Sequence, residues 1–153
     1  MKLRLCLVFS AIIISAGVTG LFVSNLNDAC IRCICQGTTG CNMTYGCSKG
    51  YCGPFYISRL YWIDADKPVL SQDDPEREGA YQDCTFEYNC AKLIVERYMA
   101  KYGRDCNGDL VTTCEDYALI HFNGGNRCST PLTGSGYYTR FTECRQAQSP
   151  GIV

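Results

Sequence analysis

Cysteine carries most of the chemistry legible in this chain. Cys30-Ile-Arg-Cys33-Ile-Cys35 opens a series continued by Cys41, Cys47, Cys52, Cys84, Cys90, Cys106, Cys114, Cys128 and Cys144, with Cys6 standing apart near the N-terminus. Thiols at such spacing can hold zinc or oxidise to disulfides. A four-cysteine zinc site wants two well-separated CxxC knuckles, and only the one at Cys30 and Cys33 is present, so disulfides are expected and neither a metal nor a cofactor is. Asn42-Met43-Thr44 is an N-glycosylation sequon, which acquires meaning only in an exported chain. His121, the single histidine, falls near the end of a predicted helix, where a capping or packing role is commoner than catalysis.

The elements that must position these groups begin with a leader. Lys2 and Arg4 precede an apolar stretch from Leu5 to Ile14, and small residues follow through Gly20, the pattern of a secretory signal removed near residue 20. The run is shorter than the ~20 residues of a bilayer span, so no membrane association is expected after cleavage. Loss of the leader removes Cys6 and makes the cysteine count even, as a disulfide framework in an extracellular compartment requires. Residues 21–153 fit one domain, with its core between Cys30 and Cys144. With 14 Lys and Arg against 15 Asp and Glu, the chain has no surplus of cations to neutralise phosphates, which excludes broad nucleic-acid binding.

Half of the cysteines remaining after cleavage crowd between Cys30 and Cys52 among several glycines, and this segment reads as a knotted, loop-rich subdomain. The apolar run from Pro54 to Ile63 supplies core as strand or short helix. The acidic, proline-containing stretch Asp64–Glu78 reads as a solvated loop. Helical spacing from Ala91 to Tyr102 predicts a helix capped by Asn89 and stopped at Gly103. A second helix is predicted over Thr113–Phe122, opened by a Thr113/Asp116 capping box and ended by Asn123-Gly124-Gly125, with Cys106 and Cys114 tying the two helices together. The tail beyond it, with Gly134 and Gly136, reads as extended loop from which Tyr137, Tyr138 and Phe141 pack back. There are no internal repeats.

Several segments in order resemble the invertebrate-type lysozymes, or destabilase family: Cys30-Ile-Arg-Cys33-Ile-Cys35, Cys52-Gly53-Pro54-Phe55-Tyr56-Ile57, Tyr61-Trp62-Ile63-Asp64, Arg97-Tyr98-Met99-Ala100-Lys101-Tyr102, Cys114-Glu115-Asp116-Tyr117-Ala118 and Ile120-His121-Phe122-Asn123-Gly124-Gly125. The resemblance implies an α+β, helix-dominated, disulfide-rich lysozyme-like domain. It also implies cleavage of β-1,4 bonds in peptidoglycan, chemistry that needs an acid with a raised pKa and an ionised partner. The family acid sits in a Cys-x-x-Glu-Ser-Gly-Cys element. Here Cys35-Gln36-Gly37-Thr38-Thr39-Gly40-Cys41 puts Thr38 in its place, and a hydroxyl is no carboxylic acid near neutral pH. The loop that carries the family's second carboxylate is shortened to Ser48-Lys49-Gly50-Tyr51, and between Leu21 and Asp64 the only acids are Asp28 and Asp64.

The resemblance also brings an isopeptidase activity attributed to a Ser and Lys pair. Ser58 occupies the lysine position, and the neighbours Ser48 and Lys49 read as ordinary surface. The resemblance also implies two further cysteines where this chain has Ala65 and Ile94; if those two pair with each other in relatives, their joint loss removes one bridge without leaving an orphan thiol. No catalytic residue is therefore assigned. Tyr56, Tyr61, Trp62, Asn123, Gly124 and Tyr137 are the candidate sugar-binding residues, with the core as the competing role for the aromatic ones. The expected function is an inactive or attenuated binder of peptidoglycan or chitin-type oligosaccharides. The alternatives are an active muramidase with rerouted acids such as Asp64 or Glu87, and a secreted scaffold or interaction protein.

Overall fold

The computed structural model describes residues 23–149. The leader, its cleavage point and Cys6 lie outside that range. Nine short elements follow in order: α1 Asp28–Thr39, β1 Cys47–Ser48, β2 Tyr51–Cys52, β3 Ile57–Ser58, α2 Arg59–Asp64, α3 Ala80–Phe86, α4 Tyr88–Tyr102, α5 Cys114–Asn123 and α6 Gly136–Gln148. Among the described residues no helix is long and apolar enough to cross a membrane.

The cysteine-dense N-terminal segment is not the loop-rich knot its composition suggests. Asn27 accepts the Cys30 N–H through its side chain and starts α1, and Gly40 at φ 67° ends it in the left-handed conformation. Cys30, Ile31, Cys33 and Ile34 then share the buried face at helical spacing. Two of the α1 cysteines leave the segment altogether, in Cys30–Cys114 and Cys33–Cys144, whereas Cys35–Cys41 and Cys47–Cys52 close local loops. Cys84–Cys90 joins α3 to α4. Cys106 pairs with Cys128 and not with the neighbourhood of Cys114, so the link expected between α4 and α5 is absent.

The tail is likewise helical. Ser135 caps α6 by accepting the Tyr138 N–H, and Tyr137 and Phe141, one turn apart, are buried against α1. A Cβ at Gly37 would stand 2.8 Å from Tyr137 Cε2, so glycine lets α1 and α6 approach. Helix α4 starts earlier than its spacing indicates: Glu87 accepts from the Asn89 and Cys90 N–H groups, which places Asn89 inside the first turn. Its buried face is Ala91, Ile94, Val95, Tyr98 and Met99. The predicted opening of α5 is observed, with Thr113 and Asp116 forming a capping box.

The Pro54–Ile63 stretch resolves into a turn, strand β3 and helix α2. The antiparallel sheet has the order β1-β2-β3, with Cys47 opposite Cys52 and Ser48 opposite Tyr51. Lys49 at φ 54° and Gly50 at φ 83° make the two-residue turn between β1 and β2. Gly53, at φ 72°, follows β2 where a Cβ would lie 1.9 Å from the Thr85 carbonyl oxygen, so only glycine lets the sheet meet α3. The loop 65–79 is solvated but pinned: the Trp62 indole N–H donates to the Pro68 carbonyl at 2.6 Å, and Arg77 bridges Asp73 and Asp83. One core built from Ile31, Ile34, Phe55, Ile57, Trp62, Ile94, Met99, Tyr117 and Ile120 runs through all of this.

Candidate functional site

The C-terminal turn of α1, the β1–β2 hairpin and the C-terminal half of α5 converge on a cavity of about 210 Å³ lined by Thr38, Tyr51, Tyr56, His121 and Phe122. Thr38 is fixed from both sides. Its Oγ1 lies 2.8 Å from the carbonyl oxygens of Cys35 and Pro54, so its one proton is held by a backbone acceptor. Thr39 donates to the same Pro54 oxygen at 2.6 Å. Arg140 of α6 closes the end of the helix, its guanidinium donating to the Gly37 and Thr38 carbonyls where the helix dipole is negative.

The opposite wall is aromatic. Tyr51 and Tyr56 stack with centroids 4.6 Å apart, Tyr45 meets Tyr56 edge-on at 5.8 Å, and Phe122 is 52% exposed. Desolvation, followed by the proximity of Tyr45 and Tyr51, raises the Tyr56 phenol above its usual range. His121 is held by both nitrogens. The Phe55 carbonyl can only accept, so Nε2 carries the proton and donates to it at 2.9 Å, while Nδ1 accepts from the Tyr61 hydroxyl at 3.1 Å. Burial lowers its pKa to about 4, partly opposed by the Phe55 hydrogen bond. The ring is therefore neutral near pH 7, as a packing histidine should be. No carboxylate is among the five lining residues. The cavity offers neutral hydrogen-bonding groups and an open aromatic face, with no acid and base pair.

Of the candidate sugar-binding residues, Tyr56 lines this cavity. Trp62 is 1% exposed, flanked by Tyr81 and the Arg59 guanidinium, and belongs to the core. Tyr61 stacks on Tyr98 at 3.6 Å, and its hydroxyl supports His121. Tyr137 is buried between α1 and α5, donating to the Ala118 carbonyl. Asn123 reaches the Thr130 carbonyl at 2.8 Å and Gly124 ends α5 at φ 85°; neither lines the cavity. Tyr51 and Phe122 do, and neither is among the residues the sequence pattern marks for sugar binding. The signal for Tyr51 was the Lys49-Gly50 hairpin turn, which fixes its neighbours.

The remaining candidates have structural partners. Ser58 caps α2 by accepting the Tyr61 N–H at 3.1 Å, and Ser48 and Lys49 sit at the hairpin turn. Asp64 pairs with Lys101 at 3.2 Å, and both Glu87 oxygens cap α4. Asp105, Asp109 and Asp116 bring carboxylate oxygens within 4.8 Å of one another. They are occupied by their own loop: Asp105 accepts from Gly108 and Leu110, Asp109 from Val111, and Asp116 from Cys106, Asn107 and Thr113.

Comparison with known proteins agrees with this architecture. Residues 27–144 match the family described as Destabilase. Lysozyme 1 of Crassostrea virginica is 34% identical over 131 residues, 82% of this chain, which spans 64% of that relative's length. The lysozyme of Magallana gigas is 33% identical, covering 80% of this chain and 84% of its own. Among solved structures, Meretrix lusoria lysozyme in complex with Aeromonas hydrophila PliI superposes with a TM-score of 0.61 at 28% identity, covering 80% of this chain and 93% of that one. An inhibitor-bound lysozyme from Meretrix lusoria gives a TM-score of 0.59 at 30% identity, with 78% of this chain and 90% of that one covered. The order of helices, the cysteine framework and these matches place the chain in the destabilase family of invertebrate-type lysozymes.

Proposed function

We propose that this chain is an exported, carbohydrate-binding member of its family that recognises peptidoglycan or chitin-type oligosaccharides with little or no hydrolysis of the glycosidic bond. The observation that carries the reading is Thr38, an alcohol whose proton is held by a backbone carbonyl, in a cavity lined by no carboxylate. Glycoside hydrolysis needs a carboxylic acid to protonate the leaving oxygen and a carboxylate to meet the developing cation. Asp64 and Glu87, the acids that could replace them, are taken up by Lys101 and by the α4 terminus. Pairing of all twelve cysteines between Cys30 and Cys144 suits an oxidising compartment.

The exposed Tyr51 and the stacked Tyr56 suit the apolar face of a pyranose ring. The test is co-sedimentation with insoluble peptidoglycan and chitin alongside a turbidity assay on bacterial walls. Retention without clearing is expected, and Tyr51→Ala should weaken binding about tenfold, ~1.4 kcal/mol. Wall lysis at the rate of an active lysozyme would overturn the reading. An interaction-protein reading has one specific support, since Meretrix lusoria lysozyme was solved bound to PliI. Binding of PliI with no retention on either polymer would favour it.

A further inference from the structure

Asn42 begins the turn that leads from α1 into the hairpin, and it is the only Asn-x-Ser/Thr triplet in the chain. The side chain is exposed and its geometry is set by the third residue of the triplet. Oδ1 accepts from the Thr44 N–H at 2.9 Å and from the Thr44 hydroxyl at 2.8 Å. Two donors on the amide oxygen leave Nδ2 as the free end of the group, and among the described residues Nδ2 makes no hydrogen bond. The turn is closed by Tyr45 N–H donating to the Asn42 carbonyl at 3.1 Å, and Tyr45 is the ring that meets Tyr56 edge-on. Cys35–Cys41 fixes the chain immediately before it. The acceptor thus stands on an exposed turn, tethered by Cys35–Cys41 and next to the aromatic wall of the Thr38 cavity.

We infer that Asn42 is an N-glycosylation acceptor, so that the mature protein carries a covalent glycan on the hairpin side of the cavity. In the transfer, Nδ2 forms a bond to C1 of the reducing-end N-acetylglucosamine of a polyisoprenyl-diphosphate-linked oligosaccharide. The C1–O bond to the diphosphate breaks with its electron pair leaving on the phosphate oxygen, and Nδ2 gives up one proton. The inference rests on export, and the test separates the two. The full chain is expressed in a eukaryotic secretory host once behind its own first 20 residues and once behind a proven heterologous leader, and secreted protein is analysed by intact mass and peptide mapping.

With either leader, a hexose and N-acetylhexosamine mass increment on the peptide containing Asn42 is expected. It should be removed by peptide-N-glycosidase with conversion of Asn42 to Asp, absent from Asn42→Gln and Thr44→Ala, and kept in Thr44→Ser. Export behind the heterologous leader alone would refute the leader while leaving the acceptor assignment to its own readout. Secreted, folded protein bearing no increment at Asn42 would overturn the inference. A variant that fails to be secreted is replaced by Thr44→Ser, whose retained increment tests the hydroxyl requirement without disturbing the turn.

Discussion

On the proposed reading, position 38 carries an alcohol where the family has its proton donor, and that alcohol is part of the frame, its Oγ1 2.8 Å from the carbonyl oxygens of Cys35 and Pro54. Thr38→Glu would place a carboxyl beside two carbonyl oxygens, which favour its protonated form, yet no ionised partner lines the cavity to meet an oxocarbenium-like centre. The variant should therefore release reducing ends from peptidoglycan no faster than a protein-free blank; measurable turnover would show that a second carboxylate reaches the site. His121 gives a prediction in pH. Its folded pKa of about 4 lies below the ordinary 6.5, so between those values the unfolded chain binds more protons than the folded one. Its contribution is complete above pH 6.5 and is lost as the pH falls towards 4, by at most about 3 kcal/mol. The carboxyls of Asp28, Asp73 and Asp105, all held below 3.8 by their partners, lose their contributions in a window further down. Urea midpoints measured at pH 7 and pH 4.5 should differ markedly for the parent and much less for His121→Asn. At this scale the alcohol at position 38 was legible in the Cys35–Cys41 element, but which aromatic rings line the cavity was not. An aromatic run such as Tyr56, Tyr61 and Trp62 reports apolar mass, and only the packing of α2 against Tyr81 and Tyr98 decides which of its rings are enclosed.

The helices divide sharply in how well local signals announced them. Helix α5 carries a Thr and Asp at capping-box spacing and a glycine stop, and it forms where those signals place it. Helix α4 shows periodicity, but Glu87 takes the capping role expected of Asn89 because its longer side chain reaches forward to accept from the Asn89 and Cys90 N–H groups. Glu87→Ala should accordingly cost about 1 kcal/mol of stability, while Asn89→Ala stays within ~0.5 kcal/mol, as read by urea denaturation. Equal losses would move the cap back to Asn89. Asp116 joins the two ends of the 103–113 loop to α5 through four accepted hydrogen bonds while fully buried, so Asp116→Ala should cost roughly 3 kcal/mol, more than any other single capping change. Helices α1 and α6 escaped because their sequences are read as punctuation. Cysteines and glycines in α1, and Gly134 and Gly136 before α6, are the residues of loops, yet Gly37 serves the contact with Tyr137 and the cysteines at Cys30 and Cys33 serve bridges to distant partners. Close approach between two helices is a tertiary fact with no local periodicity.

At the scale of the whole molecule the disulfides differ in what they constrain, and sequence alone gives the cysteines without their partners. Cys30–Cys114 and Cys33–Cys144 span 84 and 111 residues and carry α1 to α5 and α6, whereas Cys47–Cys52 spans 5 and closes one hairpin. The stabilisation each provides follows the loop left open when the others are intact. With Cys30–Cys114 in place, the cycle closed by Cys33–Cys144 is of the order of 30 residues, for which chain entropy gives about 3.5 kcal/mol against about 2 kcal/mol for the hairpin bridge. Cys33 is also fully buried, so its replacement is made with alanine to avoid introducing an unpaired hydroxyl. Cys33→Ala/Cys144→Ala should therefore lower the urea-derived stability by more than Cys47→Ala/Cys52→Ala. The two should also differ in kind: the first loosens the contact of α1 with α6 and with it the position of Thr38, which Arg140 of α6 holds from outside. The second acts on Tyr51, which adjoins Cys52 in β2, and should weaken sugar retention with the smaller of the two losses of global stability. The opposite order of stabilities would mean that the packing of Gly37 on Tyr137 and the Arg140 cap hold α6 in place without the covalent bridge.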